Sequence, residues 1–279
     1  MLREVYIDAL KNREQKISKV KDSSYEAILA EAATRWIQYK PSPVACKSAG
    51  VDSSWNKRAY QGLNLYAVDA IAASGANEIL ASDYKVEIAN SARREFLETM
   101  GMNMEASVAQ KAAETGKTDI ICVDGSIVAR LKRADPVSAM NAAKKYGNSI
   151  LVAKSSESRT QFSQIGSRAG DIYYYDRASR SSAGYSTPAE INTAYGRVTE
   201  IYARLRESTP ILRLEVLRNI SDQEIRGLLN SISYHSVSGY PYCLKLAHDA
   251  CKISDEDIDR IASILSLRNE NGARDALNE

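Results

Sequence analysis

Two histidines, two phenylalanines and four cysteines in 279 residues are few, and each scarcity narrows the chemistry open to this chain. With only His235 and His248 available, a His-rich metal centre is excluded. Cys46, Cys122, Cys243 and Cys251 form no CxxC pair and no zinc-finger spacing. Neither a thiolate zinc site nor a disulfide framework is expected, which implies a reducing compartment. No apolar run approaches the about 18–20 residues of a membrane span. Glu4 and Asp8 stand where a signal peptide would be basic and then apolar. An excess of one charge is missing too: 37 Lys and Arg oppose 35 Asp and Glu, for a net +2. Nucleic-acid contact must then come from local patches. The 44% hydrophobic and 26% charged fractions are those of an ordinary folded chain. A cytoplasmic globular protein is expected, away from membranes.

Residues 1–40 read as a helical arm. Val5, Leu10 and Ile17, then Ile28, Leu29, Ala32 and Trp36, recur at helical spacing until Lys40-Pro41-Ser42-Pro43 stops the pattern. Residues 41–279 read as one domain. Ser48 to Val51 leads as a strand into Asp52-Ser53-Ser54, and strand-compatible stretches follow at Tyr60–Ala73 and Tyr84–Ile88. Ser91 to Glu114 reads as a long helix with Phe96, Met100, Met104 and Val108 as its buried stripe. Asp119 to Val123 is a compact apolar strand ending in Asp124-Gly125-Ser126. A helix over Val137–Tyr146 and a strand over Ser149–Ala153 come next.

Adjacent strands, then helix, strand, helix, strand predict an α/β fold. The expected core is a ribonuclease-H-like mixed sheet with flanking helices. Beyond it, Ile172–Tyr175 reads as a strand within a Ser/Arg/Gly-rich stretch. Gly196–Leu205 and Ile211–Leu217 read as a strand pair. Ser221–Ile232 and Tyr240–Leu267 read as helices, with a helix start at Ser254.

Two aspartates each follow an apolar strand and precede small residues: Val51-Asp52-Ser53-Ser54 and Val123-Asp124-Gly125-Ser126. Side by side in a sheet they make a hard oxygen site suited to Mn²⁺ or Mg²⁺. Taken singly, either serves equally well as a turn cap. Glu105, beside the long helix's apolar stripe, either leans over the sheet edge as a third carboxylate or is a solvated surface residue, and Glu98 competes for the role. In Ser238-Gly239-Tyr240-Pro241, a turn leads into a helix that presents His248 as a ligand, a proton donor or a structural imidazole.

Arg130, Lys132 and Arg133 follow Asp124 closely and suit a phosphodiester backbone. Sixteen tyrosines against two phenylalanines add weak support for stacking on single strands. Gly116-Lys117-Thr118 is no phosphate loop, because Lys111 stands where the loop needs glycine. HExxH, GxSxG and a strand-following GxGxxG are all missing.

The two aspartate motifs, Pro210-Ile211-Leu212-Arg213-Leu214-Glu215, and Gly239-Tyr240-Pro241 through Ala247-His248-Asp249 together resemble the NurA nuclease family of archaea and some bacteria. Order and spacing match from about Ser48 to Leu267, least well between Lys154 and Tyr202. The resemblance implies that 41–279 is a single nuclease domain with a ribonuclease-H-like core. It implies Mn²⁺-dependent DNA hydrolysis with one or two ions, as a 5′-to-3′ exonuclease and single-strand endonuclease in end resection and double-strand-break repair. It also implies a homodimer and a HerA-type hexameric ATPase partner. By motif, Asp52, Glu105, Asp124 and His248 are the implied metal ligands, with Tyr240 beside the metals and Lys154 on the phosphate path. Two rivals remain: a non-catalytic DNA-binding or translocase-adaptor protein on the same fold, and a phosphotransferase whose Asp-Gly-Ser turn cradles ATP.

Overall fold

The computed structural model describes residues 2–60, 62–131 and 134–267. Along the chain, α1 (Leu2–Lys11), α2 (Arg13–Ser18) and α3 (Tyr25–Arg35) precede the short β1 (Trp36–Gln38). A meander follows, of β2 (Ser48–Tyr60), β3 (Leu63–Ser74) and β4 (Ile79–Ala89). The long α4 (Arg94–Glu114) crosses to β5 (Ile120–Asp124), and α5 (Ile127–Leu131) and α6 (Pro136–Tyr146) lead to β6 (Ile150–Ala153). Next come α7 (Asp171–Ala178), β7 (Gly184–Ser186), β8 (Ala189–Thr193), β9 (Gly196–Arg204) and β10 (Leu212–Val216). The chain closes with α8 (Asp222–Tyr234), the hairpin β11 (Ser236–Val237) and β12 (Tyr240–Pro241), α9 (Tyr242–Cys251) and α10 (Asp255–Ile264).

Ten strands form one mixed sheet in the order β4-β3-β2-β5-β6-β10-β9-β7-β1, with β8 also on β9. The meander is antiparallel, β5 and β6 run parallel to β2, and β10 onward is antiparallel again. This is the mixed α/β sheet that the element order leads one to expect: meander strands joined by tight turns pair antiparallel, the α4 crossover returns the chain to lay β5 parallel to β2, and β6 joins parallel to β5 through α6. One face carries α4, α5 and α6 over Val51, Val123 and Leu151. The other carries α8 and the start of α9 over Cys122, Val152 and Leu214.

Several local expectations are corrected. The buried face of α4 is Leu97, Gly101, Met102, Glu105, Ala106, Val108, Ala109 and Ala112, whereas Phe96 is exposed. Small side chains let the helix lie close to the sheet, so size was the wrong guide to its inner face. Ile172–Tyr175 lies within α7, because Tyr174 and Tyr175 pack into an aromatic cluster with Tyr25, Phe162 and Tyr202. Tertiary packing overrides their strand preference. The C-terminal helix is two helices, and a capping box between Ser254 and Asp257 starts the second. Of residues 1–40, α1 and α2 bury nothing, while α3 buries Tyr25, Ile28 and Ala32, and Trp36 belongs to the main sheet through β1.

Candidate active site

β2 and β5 are neighbours at the centre of the sheet, and their parallel register pairs Val51 with Val123. Asp52 and Asp124 each come one residue later. The side-chain period of two therefore sends both carboxylates to the same face, side by side. Asp124 is the last residue of β5, as expected. Asp52 is not at a strand end: Ser53 and Ser54 continue β2, paired with Ala70 and Asp69 of β3. The parallel pairing stops at Val51 while the antiparallel pairing runs on to Tyr60.

On that face α9 lies against β2, and glycine is required there. A Cβ at Gly50 would collide with the backbone of Cys243 and Leu244. The close approach brings His248 Nδ1 to 2.8 Å from Asp52 Oδ2. The β11–β12 hairpin turns through Ser238 and Gly239, both at positive φ. Tyr240 beyond it donates its hydroxyl to Asp124 Oδ1 at 3.0 Å. Lys154, exposed just past β6, holds its ammonium 4.3 Å from the centre of the Tyr240 ring. The structure thus brings together Asp52, Asp124, Tyr240, His248 and Lys154, drawn from four distant parts of the sequence.

Burial raises the Asp52 carboxyl above its ordinary range, the neighbouring Asp124 charge adds to this, and His248 opposes it. Burial, then Asp124, also drives the Tyr240 phenol upward, so its hydroxyl stays protonated and donates.

Glu105 is not the solvated surface residue of one alternative, and Arg130 is its partner. Glu105 is only 1% exposed, on the helix face against the sheet rather than in solvent. Its carboxylate accepts the Ser53 hydroxyl at 2.5 Å and is ion-paired to Arg130. The Tyr146 hydroxyl completes the cluster, 3.3 Å from Glu105 Oε2 and 3.2 Å from Arg130 Nη1. Arg130 also donates to the Asp124 carbonyl at 2.7 Å, beneath Gly125, which at φ +98° leaves room for the guanidinium. Arg130 therefore faces inward instead of offering its charge to a phosphate. Burial disfavours that charge, but Glu105 and Tyr146 together more than offset the penalty. Lys132 and Arg133 lie outside the described residues.

Asp52, Ser53, Glu105 and Arg130 line a cavity of about 230 Å³. Glu98 lines it too, but its carboxylate takes Arg94 at 2.7 Å. Among the described residues no three or more His, Cys, Asp or Glu side chains are grouped to hold a metal ion. No described helix is long and apolar enough to cross a membrane. Sequence reasoning missed Tyr146, which carries no local signal beyond the end of its helix, and the serine partner of Glu105. Ser53 was visible only as a small residue after Asp52.

Comparison with known proteins places this arrangement. The NurA domain model matches residues 46–253. A DNA double-strand break repair nuclease NurA from Sulfurisphaera tokodaii is 36% identical over 67 residues, 24% of this chain and 19% of the relative. The match thus spans about a fifth of that protein's length. The crystal structure of the NurA nuclease from Sulfolobus solfataricus superposes with a TM-score of 0.77 at 18% identity, over 95% of this chain and 97% of that one. A NurA crystal structure bound to dAMP and manganese gives 0.68 at 14% identity, over 96% and 98%. The family model takes in the strands of both aspartates together with the helix of His248, and the chain belongs to the NurA family.

Proposed function

We propose that this chain is a metal-dependent deoxyribonuclease acting in double-strand-break repair. The register of β2 and β5 carries the reading. It sets Asp52 and Asp124 side by side on one face, each with its own partner, His248 or Tyr240. The relative from Sulfurisphaera tokodaii is named a DNA double-strand break repair nuclease, and a NurA relative of the same fold was crystallised bound to dAMP and manganese.

The donor set fits a divalent cation. Two hard carboxylates, one of them buried and destabilised by the other's charge, would be relieved by a nearby divalent cation. Asp52 and Asp124 would hold it, with the His248 imidazole against Asp52 beside them. Glu105, engaged by Ser53 and Arg130, supports the site from beneath instead. A divalent cation such as Mn²⁺ or Mg²⁺ held there would lower the pKa of a bound water and offset charge on the scissile phosphate.

The protein's own groups do the rest. Tyr240 keeps Asp124 oriented through its protonated hydroxyl. His248, anchored through Nδ1, has Nε2 left to deliver a proton to a departing oxygen. Lys154 stands exposed beside Tyr240 as a phosphate contact that reads charge and not sequence. The exonuclease and single-strand endonuclease modes, a homodimer and a HerA-type hexameric translocase as partner come from the family resemblance, and a cytoplasmic location from the composition.

The test uses end-labelled single- and double-stranded DNA with Mn²⁺, Mg²⁺ or chelator, beside Asp124→Ala. Metal-dependent products that vanish in the variant are expected. Binding without products, even with a translocase and ATP present, would replace this reading with that of an adaptor.

A further inference from the structure

The Arg213-Leu214-Glu215 segment has no part in the chemistry above, yet it buries an arginine and a glutamate within the sheet. Glu215 is 1% exposed, Arg213 5% and their neighbour Glu200 0%. β10 pairs Glu215 with Leu151 of β6, and Leu151 pairs with Val123 of β5. Glu215 therefore shares a face with Val123 and reaches over β6 toward the turn after Asp124. One oxygen accepts the Ser126 hydroxyl at 2.7 Å, and the other accepts the Val128 N–H at 3.2 Å. Arg213 contacts Glu215 at 2.7 Å and Glu200 at 2.5 Å. Its Nη1 also donates to Ser156 Oγ at 3.3 Å, two residues past Lys154.

Burying two carboxylates on one guanidinium is costly, and exposed residues would serve stability as well. The network joins the turn after Asp124 at the end of β5 to the segment after Lys154 at the end of β6. We propose that Glu215 and Arg213 are positioning residues. Glu215 fixes the turn that carries Asp124, and Arg213 holds Glu215 in place and, through Ser156, the strand end that carries Lys154. This rests on the nuclease reading, with Asp124 as a metal ligand and Lys154 as a phosphate contact.

The two limbs predict separable defects. Ser126→Ala removes the hydroxyl from the Glu215 limb, leaving the Val128 N–H contact and the core intact, and Ser126→Thr restores it. Ser156→Ala cuts the Arg213 limb. Each variant is melted, titrated with Mn²⁺ by electron paramagnetic resonance, and assayed on end-labelled DNA for kcat and KM. Ser126→Ala is expected to melt near wild type, to lose about 10–100-fold in Mn²⁺ affinity or kcat, and to leave KM for DNA unchanged, with Ser126→Thr recovering the loss. Ser156→Ala is expected to raise KM about 3-fold with Mn²⁺ affinity unchanged.

Wild-type cutting, with both alanine variants matching it in metal affinity, kcat and KM, overturns the positioning role alone. Equal losses in every parameter, in step with a lower melting temperature, also overturn it, since that is the mark of a general structural role. A wild-type protein that neither binds Mn²⁺ nor cuts DNA overturns the nuclease reading, and this inference with it.

Discussion

His248 Nδ1 lies 2.8 Å from Asp52 Oδ2, yet the imidazole is 58% exposed while the carboxylate is 7% exposed. The pair is thus a buried acid under an open base, and its members should fail differently. Asp52 has its carboxyl raised by burial and by Asp124, so its ionised form costs stability in the folded state at neutral pH. Asp52→Asn removes that cost. It should melt higher than wild type in chelator, gain nothing from Mn²⁺ and cut no DNA. His248→Ala should melt as wild type and lose about 100-fold or more in kcat. A melting temperature for Asp52→Asn below that of wild type in chelator would contradict the electrostatic account.

Gly50 and Gly227 make a matched pair. At Gly50 a methyl group meets the immovable backbone of Cys243 and Leu244. Gly50→Ala should cost about 3 kcal/mol and push α9, with His248, away from Asp52. In mid-α8 nothing lies within 4 Å of a Cβ at Gly227, so Gly227→Ala should stabilise by about 0.5–1 kcal/mol. Urea midpoints for the two variants check both signs. If Gly50→Ala unfolds at the wild-type midpoint, α9 is not seated where described.

Arg130 was read from the sequence as a strand-guiding cation, and the structure makes it the partner of buried Glu105. Arg130→Met should therefore destabilise by about 3–5 kcal/mol, since it strands a carboxylate in the core. Adding Glu105→Gln should return a good part of that loss. An Arg130→Met protein as stable as wild type, but weaker in binding DNA, would restore the first assignment.

Asp171 begins α7 and is fully buried, with burial pushing its carboxyl from 3.8 to about 6. Its folded value exceeds its unfolded one, so the stability it contributes is complete below about pH 4 and is lost as pH rises through about 6. Asp171→Asn should lack that loss and exceed wild type at pH 7 by roughly 2–3 kcal/mol. The check is the wild-type-minus-variant difference in urea midpoint from pH 4 to 8. A flat difference would refute the assignment.

Much of the site was legible because it depends on strand ends and turns. The apolar run into Asp124-Gly125 and the Gly-Tyr-Pro turn before His248 are local signals, and each falls where its residues said it would. Asp52 was legible as a site residue but not as a mid-strand one. Its two neighbouring strands stop pairing at different residues, which a single sequence does not display. The Glu105–Arg130 pair was hidden for another reason. The face a helix turns inward is settled by how closely it approaches the sheet, and α4 turns its alanines and one acid inward, leaving Phe96 outside. The helical state of Ile172–Tyr175 depends on aromatic partners on α3 and β9, far away in sequence.

Asp52 and His248 are separated by 196 residues of chain. At a synthesis rate of 5–20 residues per second, a ribosome takes about 10–40 s to travel from one to the other. Throughout that interval the emerging sheet carries Asp52 without its imidazole, and later Asp124 without its phenol. Folding of the early strands cannot complete the centre, because α9 must still be translated and then settle against Gly50. The order of synthesis therefore withholds a finished centre from every nascent chain in which the strands have formed and the closing helix has not.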